Sequence, residues 1–354
     1  MGSRKSSSMS HWRFCWAAVA SFISLGFLCD SAQASERHHA PCPPDAFVDG
    51  LPFVQCDRSP PCVRWNWATP ARCARMRLDS QWPTWDPYIA RHHDWKSMSD
   101  LLRDHVRGKT LMFVGDSITN LFYHGFTCEA ARHGLTVTEN HPRLTDFVSR
   151  FQAIPRDRWV GENGAPHLYT YVVETDSIIS MKGWAKSSVS DTAAFLELCD
   201  VCVVNYGLHY NNQTEYEQSM NDVFSQLQTF NRQTGRKAVF REISAQAFEG
   251  SGAYSPGADK RTTSDCAPTP PEAAYDNFVS RQNALLHRLS SEYGVPVLEF
   301  YNTTLKRWDM REARFCQYEG RRNDPNSVCL DCTHLCATPT LWASEVNKLF
   351  HAFN

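Results

Sequence analysis

The chain has 354 residues, of which 42% are hydrophobic, and its formal net charge at pH 7 is −2. This length and apolar content are enough to bury a full core, and we interpret the chain as one domain preceded by a smaller lobe. The near-neutral charge argues against nucleic acid as a partner, because a polyanion requires a clustered basic face, and it favours an uncharged substrate.

Residues 1–34 have the pattern of a signal peptide. A basic, polar start is followed by an uncharged apolar run from Phe14 to Cys29, and small residues follow at Ala32 and Ala34. The run is shorter than the roughly 20 apolar residues of a membrane-spanning helix. We therefore expect cleavage after Ala34. The alternative is an uncleaved signal anchor, which would be the only expected contact with a membrane.

The cysteine count indicates an oxidising compartment. Of the 14 cysteines, Cys15 and Cys29 fall in the expected leader, which leaves an even dozen for disulfides. Two glycosylation sequons, at Asn212 and Asn302, fit the same setting. We expect a protein of the secretory pathway, in the Golgi lumen or outside the cell.

Residues 41–105 are rich in Cys, Pro and Trp, with CVRWNWATPARC at their centre, and they lack helix or strand periodicity. We expect a small lobe that is held by disulfides. Trp65 and Trp67 could present flat faces to sugar rings, or they could pack the lobe onto the main domain.

Residues 106–354 alternate short β-branched runs with longer amphipathic stretches, which predicts an α/β domain with a central parallel sheet. The expected strands are Thr110–Val114, Tyr169–Thr175, Val201–Tyr206, Ala238–Ile243 and Val295–Phe300. The expected helices are Ile118–His133, Glu215–Gln233, Glu272–Tyr293 and Thr340–Phe353. Gly134, Gly235 and Gly294 follow three of these helices as stop signals.

Ser117 follows the apolar strand TLMFV in the stretch TLMFVGDSIT. This arrangement places the serine at a strand-to-helix turn on the carboxyl edge of the sheet, where open α/β folds bind ligands. Backbone N–H groups at the helix start could hold a developing oxyanion, which an attacking serine requires. The alternative is that Asp116 or Ser117 only caps the helix.

Asp331 and His334 lie just before the last helix, in CLDCTHLC. In a turn or helical arrangement their side chains share a face. A serine nucleophile needs an imidazole to take its proton, and the imidazole needs a carboxylate to orient it. The pair therefore completes a triad with Ser117, although a surface Asp with a structural His is the alternative. CxxC spacing around His334 also suggests zinc, but an oxidised setting favours disulfides, and we predict no metal site.

These motifs resemble a known family. GDS after an apolar strand and DxxH before the last helix are similar to the first and last blocks of SGNH (GDSL-type) hydrolases. RWNWATPARC, RGKTLMFVGDS, FREISAQAFEG followed by Cys266, and DCTHLC resemble successive signatures of the trichome birefringence-like, or PC-esterase, branch. The resemblance covers nearly all of the mature chain. It implies an SGNH-like three-layer sandwich, with bridges from the DxxH loop to the N-terminal lobe and from Cys128 to Cys56, Cys62 or Cys73.

The resemblance also implies O-acetylation of a polysaccharide or glycan acceptor. Ser117 would be the acetyl-accepting nucleophile, His334 the base and Asp331 the orienting acid. No cofactor would be bound, but an acetyl donor such as acetyl-CoA would be required, and we expect a monomer. The same triad would also suit an acetyl esterase, in which water attacks instead. A further alternative is a glycan-binding protein that keeps the fold without catalysis.

Several residues around the triad are candidates for an oxyanion and substrate-binding set. GLHY follows the strand VCVVNY where SGNH enzymes place an oxyanion loop, so Gly207 could offer its N–H while Asn205 or His209 donates from a side chain. Asp116 and Arg241 complete the expected oxyanion and substrate-binding set, although an Arg at a strand end more commonly pairs with a carboxylate.

The sequence departs from the family pattern at two places. Thr119, Asn120 and Leu121 follow Ser117 where the plant proteins usually carry a basic residue, and Ala247 stands where His commonly precedes Phe. These departures leave the triad intact but put the polysaccharide specificity in question.

Overall fold

The computed structural model describes residues 100–132, 135–154, 168–174, 177–183, 189–253, 266–315, 328–336 and 339–353. All of these residues fall within a single unit, residues 41–354. The expected leader and residues 41–99 of the expected lobe lie outside the described residues, as do Trp65, Trp67, Cys56, Cys62 and Cys73.

The domain is built on a seven-stranded sheet with the strand order β2-β3-β4-β1-β5-β6-β7. The strands are β1 Thr110–Gly115, β2 Val137–Thr138, β3 Leu168–Val173, β4 Ser177–Gly183, β5 Val201–Val204, β6 Lys237–Arg241 and β7 Val297–Leu298. A separate antiparallel hairpin consists of β8 Arg311–Phe315 and β9 Val328–Leu335.

Five neighbouring strands, from β4 to β7, run parallel, while β2 and β3 are antiparallel at one edge. The α/β class and the mostly parallel central sheet are therefore confirmed, while two antiparallel strands at one edge were not expected. Only three residues separate β3 from β4 in the chain, and so short a connection joins antiparallel strands only.

Helices cover both faces of the sheet. They are α1 Ser117–Arg132, α2 Pro142–Ala153, α3 Val189–Leu196, α4 Gln213–Thr234, α5 Pro271–Ala274, α6 Phe278–Tyr293, α7 Tyr301–Lys306 and α8 Pro339–Phe353. Alternate residues of β1 serve opposite faces: Leu111 and Phe113 pack with α1 and α8, while Met112 and Val114 pack with α2, α3, α4 and α6. The described residues thus form three layers, helix–sheet–helix.

Two expected elements differ most from the structure. The single helix expected over 272–293 is split into α5 and α6, because Asn277 caps α6 by accepting a hydrogen bond from Ser280 N at 2.8 Å. The strand expected over 295–300 is shortened to Val297–Leu298. Gly235 and Gly294 end α4 and α6 in the left-handed conformation, as predicted, while Gly134 lies outside the described residues.

Disulfides are present, as the sequence predicts. Cys199 bonds Cys202 at the start of β5, and Cys266 bonds Cys332 in β9. Cys128 is also disulfide-bonded. The DxxH segment is therefore tied to residue 266 of the main domain, and Cys336 is also disulfide-bonded. The expected bridges from this segment and from Cys128 to the N-terminal lobe lie outside the described residues.

The described residues include no helix that is both long enough and apolar enough to cross a membrane.

Candidate active site

The nucleophile turn follows β1, whose six residues are all buried. Asp116 caps α1, because its Oδ1 accepts hydrogen bonds from Ile118 N at 3.0 Å and Thr119 N at 3.3 Å. Capping is therefore the role of Asp116, which the sequence had placed in the oxyanion and substrate-binding set. The hydroxyl of Ser117 faces the segment that carries Asp331 and His334.

Gly115 allows the chains to approach closely behind this turn. A Cβ atom at this position would lie 2.3 Å from Asn205 O and 2.5 Å from Thr119 Oγ1, much closer than such atoms can approach. A glycine is thus required for the end of β1, the end of β5 and the first turn of α1 to pack together.

Asp331 and His334 lie on β9 at an irregularity in its pairing with β8. Arg311 faces Leu335 and Glu312 faces Asp331, so residues 332–334 are looped out of the ladder. Within the loop, Asp331 Oδ1 accepts hydrogen bonds from the N–H groups of Thr333 and His334, both at 3.0 Å. This Asx-type turn brings the two side chains to one side, which sequence spacing had led us to expect from a turn or a helix.

The looped-out segment meets the nucleophile turn. His334 Nε2 lies 2.7 Å from Ser117 Oγ, and His334 Nδ1 lies 2.7 Å from Asp331 Oδ2. A carboxylate only accepts hydrogen bonds, so Nδ1 carries the proton and Nε2 is left to accept the serine hydroxyl proton. The side chains of His334 and Asp331 are 19% and 17% exposed, so solutes can reach a site whose geometry is fixed by packing.

Arg311 holds the looped-out segment in place through a hydrogen bond to its backbone. Its side chain is 2% exposed, and it donates hydrogen bonds to Thr333 O at 3.0 Å and Ala245 O at 2.6 Å. Burial lowers the pKa of Arg311 to about 10, while the charge of Asp331 acts in the opposite direction. The guanidinium thus fixes the backbone of the residue before His334 and places a positive charge near Asp331.

The segment 245–247 supports the same loop from the side. Gln246 Nε2 donates to Thr333 Oγ1 at 2.9 Å, and Ala247 N donates to Cys332 O at 2.9 Å. Ala247 is 1% exposed and packs against the Cys266–Cys332 disulfide. Position 247 is therefore part of the packing behind the triad in this chain.

Arg241 lies in the interior, at the end of β6. It has no solvent exposure, and its Nη2 donates to Thr119 Oγ1 at 3.1 Å. Its guanidinium also lies over the ring of Phe300, 4.6 Å from the centroid. Burial lowers the pKa of Arg241, an effect that the nearby charge of Asp116 opposes. Because this side chain is buried and bonded to Thr119, Arg241 supports the helix that begins with Ser117, and its expected contact with a sugar or acyl donor stays a prediction.

The expected oxyanion loop follows β5. Asn205 Nδ2 donates to the carbonyls of Arg241 at 2.9 Å and Glu242 at 3.2 Å, so this amide is engaged within the protein and does not face the nucleophile as an open donor. Gly207 is buried in the turn, and His209 is exposed. Asp116 already bonds the amides of Ile118 and Thr119. The N–H groups of Ser117 and Gly207 therefore remain as candidate oxyanion donors.

Sequence reasoning missed three residues that support the site: Thr119, Gln246 and Arg311. Thr119 had appeared only as a departure from the family pattern, yet it is the hydrogen-bond partner of Arg241. Gln246 lies inside the recognised FREISAQAFEG stretch, so its motif was a usable signal. Arg311 belongs to no motif, and nothing local in the sequence indicates its contact with Thr333.

The cysteines near His334 are committed to disulfides at two positions, Cys332 and Cys336. Across the ranges that the structure describes, no group of three or more His, Cys, Asp or Glu side chains is arranged to hold a metal ion.

Compared with protein-family models, the chain finds no match, and no curated protein matches it.

Proposed function

We propose that this protein is a serine-dependent O-acetyltransferase of the secretory pathway that acts on a polysaccharide or glycan. The observation that carries the proposal is a pair of hydrogen bonds, each 2.7 Å long. One joins Asp331 to His334, and the other joins His334 to Ser117. Such a pair turns a weakly nucleophilic hydroxyl into an acyl acceptor, and it is the arrangement common to acyl-transfer enzymes on unrelated folds.

Two displacements would transfer the acetyl group. In the first, Ser117 Oγ attacks the acetyl carbonyl carbon of the donor while its proton passes to His334 Nε2. The tetrahedral adduct then collapses, and the donor's leaving group departs with that proton, which leaves acetyl-Ser117. In the second, an acceptor hydroxyl gives its proton to His334 as its oxygen attacks the acetyl carbon. Ser117 leaves and regains the proton.

Asp331 stays ionised through both displacements and stabilises the imidazolium that forms twice per cycle. Each tetrahedral adduct carries a negative oxygen that needs donors in place beforehand. We assign this role to the N–H of Ser117, at the positive end of α1, and to the N–H of Gly207.

The identity of the acceptor and the acetyl chemistry come from the resemblance to trichome birefringence-like proteins of the SGNH superfamily. The α/β layers and the position of Ser117 at the carboxyl edge of the sheet support that assignment. So do the disulfides, since they fit an extracytoplasmic compartment. We propose an acetyl donor that binds transiently, such as acetyl-CoA, and a monomeric enzyme.

An assay of acetyl transfer tests the proposal. The full chain is incubated with 4-nitrophenyl acetate and a panel of oligosaccharides, and mass spectrometry follows both the enzyme and the sugars. We expect one acetyl group on Ser117 and acetylated sugar as product, and neither product with S117A or H334A. Acetate release without sugar ester would identify an esterase instead. If acetyl-enzyme and turnover were both absent, a glycan-binding protein without catalysis would replace the proposal.

A further inference from the structure

A cavity of about 340 Å³ lies between the turn after β5, the segment 246–253 and the start of α6. Gly207, one of the candidate oxyanion donors, forms part of one wall. Gln246 forms part of another, and its hydrogen bond to Thr333 Oγ1 joins that wall to the residue before His334. Of the residues that line this space, the triad mechanism uses Gly207 alone.

We propose that this cavity is the binding subsite for an uncharged glycosyl residue of the acceptor, an inference that rests on the proposed function. A volume near the lower end of the range for small-molecule sites, about 300–1,000 Å³, suits a compact ligand better than an extended nucleotide.

The charged residues that line the cavity do not favour an acidic ligand. The wall includes Asp276 and Arg281, which pair with one another at 3.2 Å between Arg281 Nη1 and Asp276 Oδ1. Their charges cancel locally, and both side chains are more than half exposed, so neither offers a strong, desolvated charge to a ligand. Among the described residues that line the cavity, a phosphate or carboxylate finds no unpaired cation of the kind that such groups require.

Polar and apolar groups alternate around the cavity, as a sugar ring requires. Leu208, Tyr210 and Phe278 supply apolar surface for C–H groups. Asn211 and Ser251, both exposed, supply polar atoms at the mouth. Hydroxyl groups and C–H faces of one pyranose ring would therefore both find complementary partners.

Gln282 marks the base of the cavity. Its side chain has no solvent exposure, and its Nε2 donates to Gly207 O at 3.2 Å. Its Oε1 has no hydrogen-bond partner in the described part of the chain. A buried amide oxygen without a partner is costly, and a hydroxyl of a bound sugar could satisfy it. Gln282 thus acts as a specificity-determining acceptor for a ligand that carries O–H groups.

Binding is tested with the full chain carrying S117A, so that no turnover occurs. Isothermal titration is performed with xylotetraose and cellotetraose as neutral probes and with trigalacturonic acid as an acidic probe. We expect at least one of the two neutral tetrasaccharides to bind more tightly than trigalacturonic acid. Adding Q282M should weaken that binding roughly three- to tenfold, the loss of one neutral hydrogen bond. Adding S251W, which fills the cavity mouth, should weaken it at least about tenfold.

A matched control is S291W, which adds the same side chain at an exposed position on the same helix as Gln282, outside the cavity wall. It should bind sugar as S117A alone does. The proposal is overturned if no neutral sugar binds, if the acidic probe binds better, or if both cavity variants bind as the control does.

The outcome separates this inference from the proposed function, because 4-nitrophenyl acetate reports the triad independently. Acetylation of Ser117 in the wild type, together with no sugar binding by S117A, would reject the subsite and leave the acyl chemistry standing. Sugar binding that is sensitive to S251W, in a chain whose Ser117 is never acetylated, would support the subsite and reject the transferase.

Discussion

Arg241 Nη2 donates a hydrogen bond to Thr119 Oγ1 at 3.1 Å, which joins a fully buried guanidinium to the first turn of the helix that begins with Ser117. Thr119 Oγ1 also contacts Asn205 Oδ1 at 3.3 Å, and Asn205 Nδ2 returns to the backbone of Arg241 at 2.9 Å. The ends of β1, β5 and β6 are thus connected through one small polar network behind the nucleophile.

The variant T119V tests this network. Valine keeps the shape of threonine but leaves a donor of a buried cation unpaired, so we expect a loss of about 2 kcal/mol in unfolding free energy. T119S keeps the hydroxyl and removes one methyl group, and it should cost about 1 kcal/mol or less. Urea denaturation measures both. If T119S proves as destabilising as T119V, packing of the methyl group and not the hydrogen bond explains the effect.

Asp331 has two separable tasks, since Oδ2 faces the imidazole and Oδ1 accepts two backbone N–H groups. D331N keeps an oxygen for the loop but loses the carboxylate that orients His334. We expect kcat to fall by on the order of 10³- to 10⁴-fold, as for a triad with the wrong tautomer, while the melting temperature changes little. D331A should lose the loop contacts as well and melt lower. Equal kcat for D331N and the wild type would contradict the triad assignment.

Two disulfides whose cysteines are both described provide a matched pair of variants. Cys266 and Cys332 are 66 residues apart, whereas Cys199 and Cys202 are three apart. Loop-closure entropy predicts a loss of about 4 kcal/mol for C266A/C332A and about 2 kcal/mol for C199A/C202A.

Of these two links, the longer one anchors the segment that carries His334, and the shorter one does not. The ester kcat should therefore fall in C266A/C332A and stay near the wild-type value in C199A/C202A, assayed well below both melting temperatures. A parallel fall of kcat in both variants would show that the Cys266–Cys332 link has no specific effect on the site.

His287 forms an ion pair whose strength depends on pH. Its Nε2 lies 2.6 Å from Oε1 of the buried Glu242, and the hydrogen bond to this carboxylate raises the pKa of His287. The stabilisation is fully present below about pH 6.5, the usual His value, and is lost as the pH rises through the raised pKa. The melting temperature of the wild type relative to H287Q should therefore fall between acidic and alkaline pH. A difference that does not change with pH would exclude the ion pair.

The sequence predicted the local parts of the site because their signals are local. A buried strand, a glycine, a serine and an amphipathic helix define the turn at Ser117, and the DxxH spacing defines the pair on β9. Asn277 is also a local signal, because an Asn directly before a helix commonly caps it. The run of helix-forming residues that precedes Asn277 obscured the break between α5 and α6.

Other features depend on contacts between residues far apart in the chain. β4, which pairs directly with β1, mixes Ser, Ile, Met and Lys without a clear alternation, so only its place in the sheet makes it a strand. The contact of Arg311 with Thr333, and that of Arg241 with Thr119, each join segments that no spacing rule relates. Buried polar networks of this kind appear only once the chain is folded.

The Asx-type turn on β9 makes Asp331 and His334 a single rigid unit. The acid and the base belong to the same few residues, so a movement of the hairpin carries both of them and leaves their 2.7 Å separation unchanged. Within the triad, such a movement would lengthen the contact between His334 and Ser117 alone. A displacement of the hairpin would then separate the base from the serine hydroxyl while the imidazole stays correctly oriented, and the three-residue chain of contacts would form again as soon as the hairpin returned.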